Sequence, residues 1–337
     1  MRAAIIDKPG EVRVGIVEDP TPGDGQLVVR VGACGVCGTD LHIADGEFPP
    51  TPYPIVPGHE FAGEVAAVGA GVTDFREGMR VAVDPSLFCG HCEFCRRNRG
   101  NLCQNWGAIG DTVNGAFAEY VAVPAKNAYL LPDKISLREA ALIEPLSCAV
   151  HGIHRLDPRL GDTVLIVGAG TMGLLLLQLA LRGGASRVAM LDLNTRRLDV
   201  AETLGAARTA TEIEALIEHE PLGFDCVIDA TGVPRAIETA FGAVRRGGKL
   251  MIFGVAPGDA SVSLSPFRIY NDEITVVGTM ALLFTFAHAI DLLQAGAVDA
   301  RAMLTHGLSL DEFPVALDTV RSGEGVKVQV LPNGAPE

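Results

Sequence analysis

At 337 residues the chain is longer than one hydrophobic core ordinarily supports, since cores stop growing near about 250 to 300 residues, so two domains are expected. A formal charge of -14 repels phosphate backbones and anionic lipid surfaces, which argues against nucleic acid and membrane as partners. The first ten residues lack the roughly 7 to 15 apolar positions of a signal peptide and no apolar run nears the roughly 20 of a span, so a cytoplasmic protein is expected, its eight cysteines acting as ligands or buried thiols rather than disulfides.

From residue 1 to about 147, short β-branched runs alternate with Gly and Pro. Strands are expected at Glu11 to Val17, Gln26 to Val31, Gly63 to Val68, Arg80 to Val83 and Tyr120 to Val123, which together predict a β-rich domain. Within it lie two groups of metal-binding residue types. Cys37 stands in Cys-Gly-Val-Cys-Gly-Thr-Asp-Leu-His, and His59-Glu60 in Val-Pro-Gly-His-Glu-Phe-Ala-Gly. Thiolate, imidazole and carboxylate make a borderline-soft set for zinc, and three protein ligands leave a position open for water or substrate. Other readings stand beside this one. Cys34 and Cys37 also form a Cys-x-x-Cys pair, and a lone His-Glu dipeptide in a loop is often a surface pair. The second group is plainer: Cys89, Cys92, Cys95 and Cys103, four thiols within fifteen residues, suit a tetrahedral site closed on all sides by sulfur, hence structural rather than catalytic.

The pattern changes near Asp162. Strand Thr163 to Val167, an apolar helical stretch Met172 to Arg182 and strand Val188 to Leu191 come first. Strands at Cys226 to Asp229, Leu250 to Phe253 and Thr275 to Val277 follow, with a helical length at Pro234 to Val244 between. This alternation predicts a parallel, doubly wound sheet, hence an α/β fold. Helical signals at Phe286 to Gln294 and Leu310 to Ser322 close the chain, and His151 and His154 read as lying near a helix start.

The first strand of this half runs into Gly168-Ala-Gly170-Thr171-Met172-Gly173, which fits Gly-x-Gly-x-x-Gly: a tight turn, close approach of backbone to a diphosphate, and close packing of the next helix. Asp192 follows nineteen positions after Gly173, where a carboxylate accepts hydrogen bonds from adenosine ribose hydroxyls and repels a 2'-phosphate, favouring NAD over NADP. Arg196 and Arg197 come next; a guanidinium there accommodates a 2'-phosphate, and the plainer reading is charge on the first turn of a solvated helix. The expected cofactor-binding set is Gly168, Gly170, Thr171, Met172, Gly173, Asp192, Arg197 and Thr231.

Cys37-Gly-Thr-Asp, Pro57-Gly-His-Glu, the four-cysteine lobe and Gly168-Ala-Gly-Thr-Met-Gly resemble, in order and spacing, the zinc-dependent medium-chain alcohol dehydrogenases over the whole chain. The resemblance implies a GroES-like catalytic domain over 1–147, onto which the segment 286–337 folds back, and a Rossmann NAD-binding domain over 148–285. It implies two zincs per chain. Cys37, His59 and Glu60 would hold the catalytic one, with Glu144 as an exchanging ligand or nearby base, and the four-cysteine lobe the structural one. Thr39 would take the proton of the bound alcohol and His42 pass it to solvent. The Ile-Glu144-Pro-Leu string is similar to polyol and threonine dehydrogenases, so a sugar alcohol is the first expected substrate, with another secondary alcohol, vicinal diol or L-threonine as alternatives. A catalytically silent NAD(H)-binding protein is disfavoured, because every ligand and relay residue is present. The substrate pocket is expected from Leu41 to Phe48, near Trp106 and near Leu282 to Phe284. Cys148, one helical turn after Glu144, is expected as a buried thiol, and the assembly as a homotetramer or dimer through strand pairing of the Rossmann sheets.

Overall fold

The longest strand, Gln26–Val36, forms because valines and small apolar residues follow one another with no proline to remove a ladder donor. Glu60–Val68 pairs antiparallel along one side of it. On the other side Tyr120–Pro124 pairs with its first half and Lys327–Leu331 with its last three residues. Arg80–Val83 and Ala128–Leu130 widen the sheet beyond Glu60–Val68, and Leu304–Ser309 joins Lys327–Leu331 in parallel. The structure is a computed structural model and describes residues 1–48 and 51–334.

These strands belong to one of two compact units, built from Met1–Ser147, Leu282–Gln294 and the chain from Leu304 onward. Its core includes Leu27, Val31, Phe61, Phe117, Phe313 and Val330, with the rings of Phe117 and Phe313 4.7 Å apart. Full burial of each such side chain stabilises by roughly 1.5 to 3 kcal/mol. Residues 335–337, the end of the segment expected to fold back, lie outside the described residues.

The other unit comprises Cys148–Ala281 and Ala295–Met303. Its six strands are all parallel, in the spatial order Arg208–Ala210, Arg187–Leu191, Thr163–Val167, Phe224–Asp229, Val244–Ile252, Thr275–Gly278. The first strand in sequence therefore lies centrally, and the order reverses beside it, which creates the crevice at the strand ends where nucleotides bind in doubly wound folds. Leu165, Val167, Val227 and Leu250 form the buried layer under the helices of one face.

Most expected strands recur with shifted ends, and several details differ. Gln26–Val36 runs five residues past its expected end and Val244–Ile252 starts six residues before, passing through Gly247 and Gly248. A helix at Ile143–Leu156 spans Glu144, Cys148, His151 and His154, so the two histidines lie in its last turns and not at its start. Cys148 is half-buried instead of fully buried. Among the described residues, no helix is long and apolar enough to cross a membrane.

Candidate active site

Cys37 directly follows the long strand, which ends at Val36, and stands immediately before the helix Gly38–Asp45. Asp40 Oδ2 accepts the Cys37 N–H at 2.9 Å and satisfies one of the donors a helix start leaves open. The helix stops at Gly46, whose left-handed φ of 80° lets the Glu47 N–H reach the His42 carbonyl at 2.7 Å. Thr39 and His42 therefore stand on one short helix that Cys37 begins. His42 is one-third exposed, and its Nδ1 lies 2.8 Å from the exposed Glu47 carboxylate.

His59 and Glu60 arrive where the strand Glu60–Val68 begins. Register sets Glu60 opposite Gly35 of the long strand, and Gly35 opposite Gln329. Sulfur and imidazole meet: Cys37 Sγ lies 3.3 Å from His59 Nε2. One ligand atom each from Cys37, His59 and Glu60 falls within 4.8 Å of the other two. Tetrahedral zinc with bonds of about 2.3 Å to sulfur and 2.0 Å to nitrogen sets those two atoms roughly 3.5 Å apart, so the residues fit the ion. Glu144 is buried on the first turn of its helix but does not belong to this close group.

Two carboxylates and a lysine surround the group. Glu60 forms an ion pair with the fully buried Lys327, whose Nζ also donates to the Val36 carbonyl at 3.1 Å. The pair meets across Gly35, where a Cβ would fall 2.1 Å from Glu60 Oε2 and 2.6 Å from Lys327 Cε. Burial opposes the charge on Lys327, yet Glu60 and Cys37 outweigh it and raise the ammonium above its usual pKa. His59 Nδ1 lies 2.9 Å from Asp111 Oδ1. Burial lifts Asp40 to a pKa of about 6 and holds the Cys37 thiol above its usual value. Burial also works against a charged His59, but Asp111 and Cys37 carry it well above the ordinary histidine value.

Lys327, Asp40 and Asp111 are the residues the sequence reading missed. Asp40 is legible as the third helical residue after Cys37, a capping position. Lys327, opening the apolar strand Lys-Val-Gln-Val-Leu, is visible only as a charge where β pattern begins, and Asp111 has no local signal at all.

The cysteine lobe folds around a four-residue helix, Glu93–Arg96. Sulfur separations of 3.5 Å for Cys103 and Cys89, 3.8 Å for Cys92 and Cys103 and 4.0 Å for Cys89 and Cys95 bracket the roughly 3.8 Å edge of a tetrahedron with 2.3 Å zinc–sulfur bonds. Backbone N–H groups of Cys89 and Asn105 point at Cys103 Sγ, and that of Cys92 at Cys89 Sγ, at 3.3 to 3.4 Å. Backbone N–H groups lower Cys89 to a pKa of about 6, while burial is the largest cause lifting Cys95 to about 12. A divalent cation would displace the remaining protons. His91 turns its Nδ1 to the Cys89 carbonyl at 2.9 Å, away from the four sulfurs' task.

In the parallel-sheet unit the glycine loop follows the central strand. Gly168 takes φ 104°, and a Cβ on Gly173 would stand 1.8 Å from the Gly168 carbonyl, so the helix Thr171–Arg182 packs at a distance only glycine allows. Thr171 and Met172 form its first turn, half-buried, where N–H groups are unpaired within the helix. Asp192 Oδ2 accepts from Ala169 N at 2.6 Å and Oδ1 from Asn194 N at 2.8 Å, so its carboxylate tethers the glycine loop. Arg197 Nη1 reaches within 3.8 Å of where a Cβ on Gly170 would be. Thr231 flanks the loop from the next strand: its hydroxyl donates to Asp229 Oδ1 at 2.6 Å and its methyl lies against Gly168.

A β-rich unit with two sulfur-bearing metal constellations and a parallel-sheet unit with a dinucleotide loop define the class of zinc-binding nicotinamide dehydrogenases. Residues 23–133 match the model of the alcohol dehydrogenase GroES-like domain and residues 171–295 that of zinc-binding dehydrogenases. The chain is 36% identical to D-arabinitol dehydrogenase 1 of Uromyces fabae over 99% of its own length and 97% of that protein. It is 34% identical to L-threonine 3-dehydrogenase of Idiomarina loihiensis over 95% of its length and 96% of that protein. A structure described as a zinc-binding dehydrogenase from Sinorhizobium meliloti 1021, bound to NADP, superposes with a TM-score of 0.94 at 37% identity, covering 98% and 99% of the two chains. The chain belongs to the zinc-dependent medium-chain alcohol dehydrogenases, in the branch that holds polyol and threonine dehydrogenases.

Proposed function

We propose that the protein oxidises a secondary hydroxyl of a sugar alcohol to a ketose, with NAD as hydride acceptor and two zincs per chain. The observation that carries the reading is the convergence of Cys37, His59 and Glu60 within 4.8 Å, a donor set that leaves one position open. Zinc held there supplies a Lewis acid that acidifies an alcohol hydroxyl, as it lowers the pKa of water to about 7.

The chain's own groups do the rest. Thr39 accepts the substrate proton at its hydroxyl, and His42, held by Glu47 at the exposed end of the same helix, hands it to solvent. Glu60 is oriented by Lys327 and lowers the net charge of the site, which suits a neutral polyhydroxy substrate. Glu144 serves as an exchanging ligand or nearby base. Leu41 to Phe48, Trp106 and Leu282 to Phe284 line the pocket. Asp192 supports NAD: its carboxylate, anchored by the Ala169 N–H, would face a 2'-phosphate with like charge. Gly168, Gly170, Thr171, Met172, Gly173, Arg197 and Thr231 form the rest of the cofactor site. Thr275–Gly278 is the exposed edge of the parallel sheet, and we expect two copies to pair there within a tetramer or dimer.

A second reading is oxidation of another secondary alcohol, favoured by the 34% identity to an L-threonine 3-dehydrogenase. Sugar alcohols, vicinal diols, simple secondary alcohols and L-threonine, each assayed with NAD and NADP by absorbance of the reduced nicotinamide, separate the two. Turnover of L-threonine with none on polyols would replace the first reading by the second.

A further inference from the structure

On the reading that Leu282 to Phe284 line the substrate pocket, we propose that Phe88, the residue before the first cysteine of the four-cysteine lobe, is a positioning residue for that pocket wall. Its ring holds Phe284, and with it the turn from Ala281 to Thr285.

The turn is strained. Ala281 takes φ 47° and Phe284 φ 54°, both in the left-handed region, where a bulky side chain is an outlier that persists only if its surroundings over-determine it. The neighbours of Phe284 in the chain are fixed by contacts of their own. Leu282 and Thr285 are buried. The Thr285 hydroxyl donates to the Ser147 carbonyl at 2.9 Å and accepts from the Ser147 hydroxyl at 2.8 Å, three residues after Glu144 on the helix Ile143–Leu156. Next comes Phe286, also buried, its ring 4.8 Å from that of Tyr129. Phe284 differs from them: it is 59% exposed, so burial does not hold its ring in place. Among the described residues the aromatic ring that meets it is that of Phe88, edge to face, with centroids 6.5 Å apart and planes at 87°.

Phe88 in turn takes its place from the lobe. Gly100 opens the single 3-10 turn that leads to Cys103, and a Cβ on it would fall 3.0 Å from Phe88 Cγ and Cδ1, so the lobe's backbone lies directly against the ring. Any side chain there would crowd it. Lys126 Nζ stands 5.9 Å from the ring centroid, within cation–π range. Cys89 follows Phe88 directly, and its Sγ is 3.5 Å from that of Cys103. The sulfur cluster therefore closes the chain around the ring from both sides, at Phe88 with Cys89 and at Gly100 with Cys103. A lobe built for structure thus shapes a pocket wall, with Phe88 acting through Phe284.

The test compares full-length, zinc-loaded wild type with Phe88→Leu, Phe88→Tyr, Phe284→Ala and the double variant Phe88→Leu with Phe284→Ala. Kinetics use whichever of the sugar alcohols, vicinal diols, simple secondary alcohols and L-threonine the wild type turns over best, and hydrogen exchange is followed in peptides spanning 281–286. Phe88→Leu should raise KM about tenfold with kcat within about twofold, the scale of effect that one ring pair supports. Exchange at 281–286 should quicken in it while zinc content stays at two per chain. Phe88→Tyr keeps the ring and should behave as wild type. The double variant should be no worse than Phe284→Ala, because both changes remove the same contact. If Phe88→Leu fails to fold, Phe284→Leu, made at an exposed ring, reads the contact from its other side. Unchanged exchange at 281–286 in whichever of these two is measured overturns the proposal. So does an additive double variant, or a Phe88→Leu protein that loses zinc and kcat together, which marks a purely structural role. An unchanged KM in Phe284→Ala overturns the pocket reading instead.

Discussion

Cys37 and Cys95 are both cysteines facing other donors, yet their replacement should read out differently. Cys37→Ser removes a thiolate from a three-residue group at a strand end whose backbone is otherwise held by Asp40. It should lower zinc content from two to one per chain and turnover by more than about a hundredfold, with cooperative unfolding preserved, because losing a ligand exceeds the roughly 10- to 100-fold cost of losing a ligand's supporting residue. Metal analysis and a thermal melt check it; surviving turnover would move the reaction elsewhere. Asp192 acts at the other end of the chemistry. Asp192→Ser should shift the ratio of kcat/KM for NADP over NAD upward by about tenfold, on the order of 1.4 kcal/mol, since the repelling charge is removed. The same change deprives the Ala169 N–H of its acceptor, so both KM values should rise. An unchanged ratio would remove Asp192 from cofactor choice. Cys37, His59 and Glu60 were legible as residue types in short strings, but their meeting was not, because Cys37 and His59 are 22 residues apart and come together only through strand register.

At the scale of elements, the cysteine lobe is a loop whose one α-helix has four residues and buries none of them, followed by a single 3-10 turn at Gly100–Leu102, so it has little packing of its own. Metal binding is then expected to supply its stability, which in small zinc domains is on the order of 10 kcal/mol. Cys95→Ser, or exhaustive chelation, should lower the melting temperature and raise protease sensitivity between about Ser86 and Ala108; a melt unaffected by either treatment would deny the lobe a metal. The parallel sheet is tied differently. Asp225 accepts the Thr163 N–H at 2.9 Å, the Thr163 hydroxyl at 2.8 Å and the Arg245 guanidinium at 2.9 Å. Burial raises its pKa, but these donors together hold it below the usual carboxylate value. A depressed folded-state pKa stabilises above the unfolded value, and that stabilisation is lost as pH falls through the folded one. Asp225→Asn should therefore be less stable than wild type at pH 7, the gap narrowing as pH drops below about 4; denaturant melts at several pH values test this, and a constant gap would contradict it. The Thr163 to Val167 strand itself was readable with its ends. Val244–Ile252 was not, since Gly247 takes a left-handed φ of 73° at a bulge in the pairing with Phe224–Asp229, between Val244 and Lys249, and the strand resumes only beyond it.

For the molecule as a whole, assembly is the property with the least sequence signature. Val276 is exposed on the edge strand Thr275–Gly278, which has a partner on one side only. Val276→Lys should weaken edge pairing and reduce the mass seen by light scattering, because a charge on an open edge opposes strand addition. An unaltered mass would place the assembly interface elsewhere. The two units show what each level decides. By itself the sequence determined the two-domain α/β architecture, the dinucleotide loop and the four-cysteine cluster, since periodicity, glycine spacing and cysteine spacing are local and each has a local physical cause. Only the tertiary structure decided that Ala295–Met303 belongs with the parallel sheet, that Lys327 pairs with Glu60 across Gly35, and that Asp111 lies beside His59. These depend on strand register and on backbones touching where a Cβ would collide, and such distances are set by packing between segments far apart in the chain.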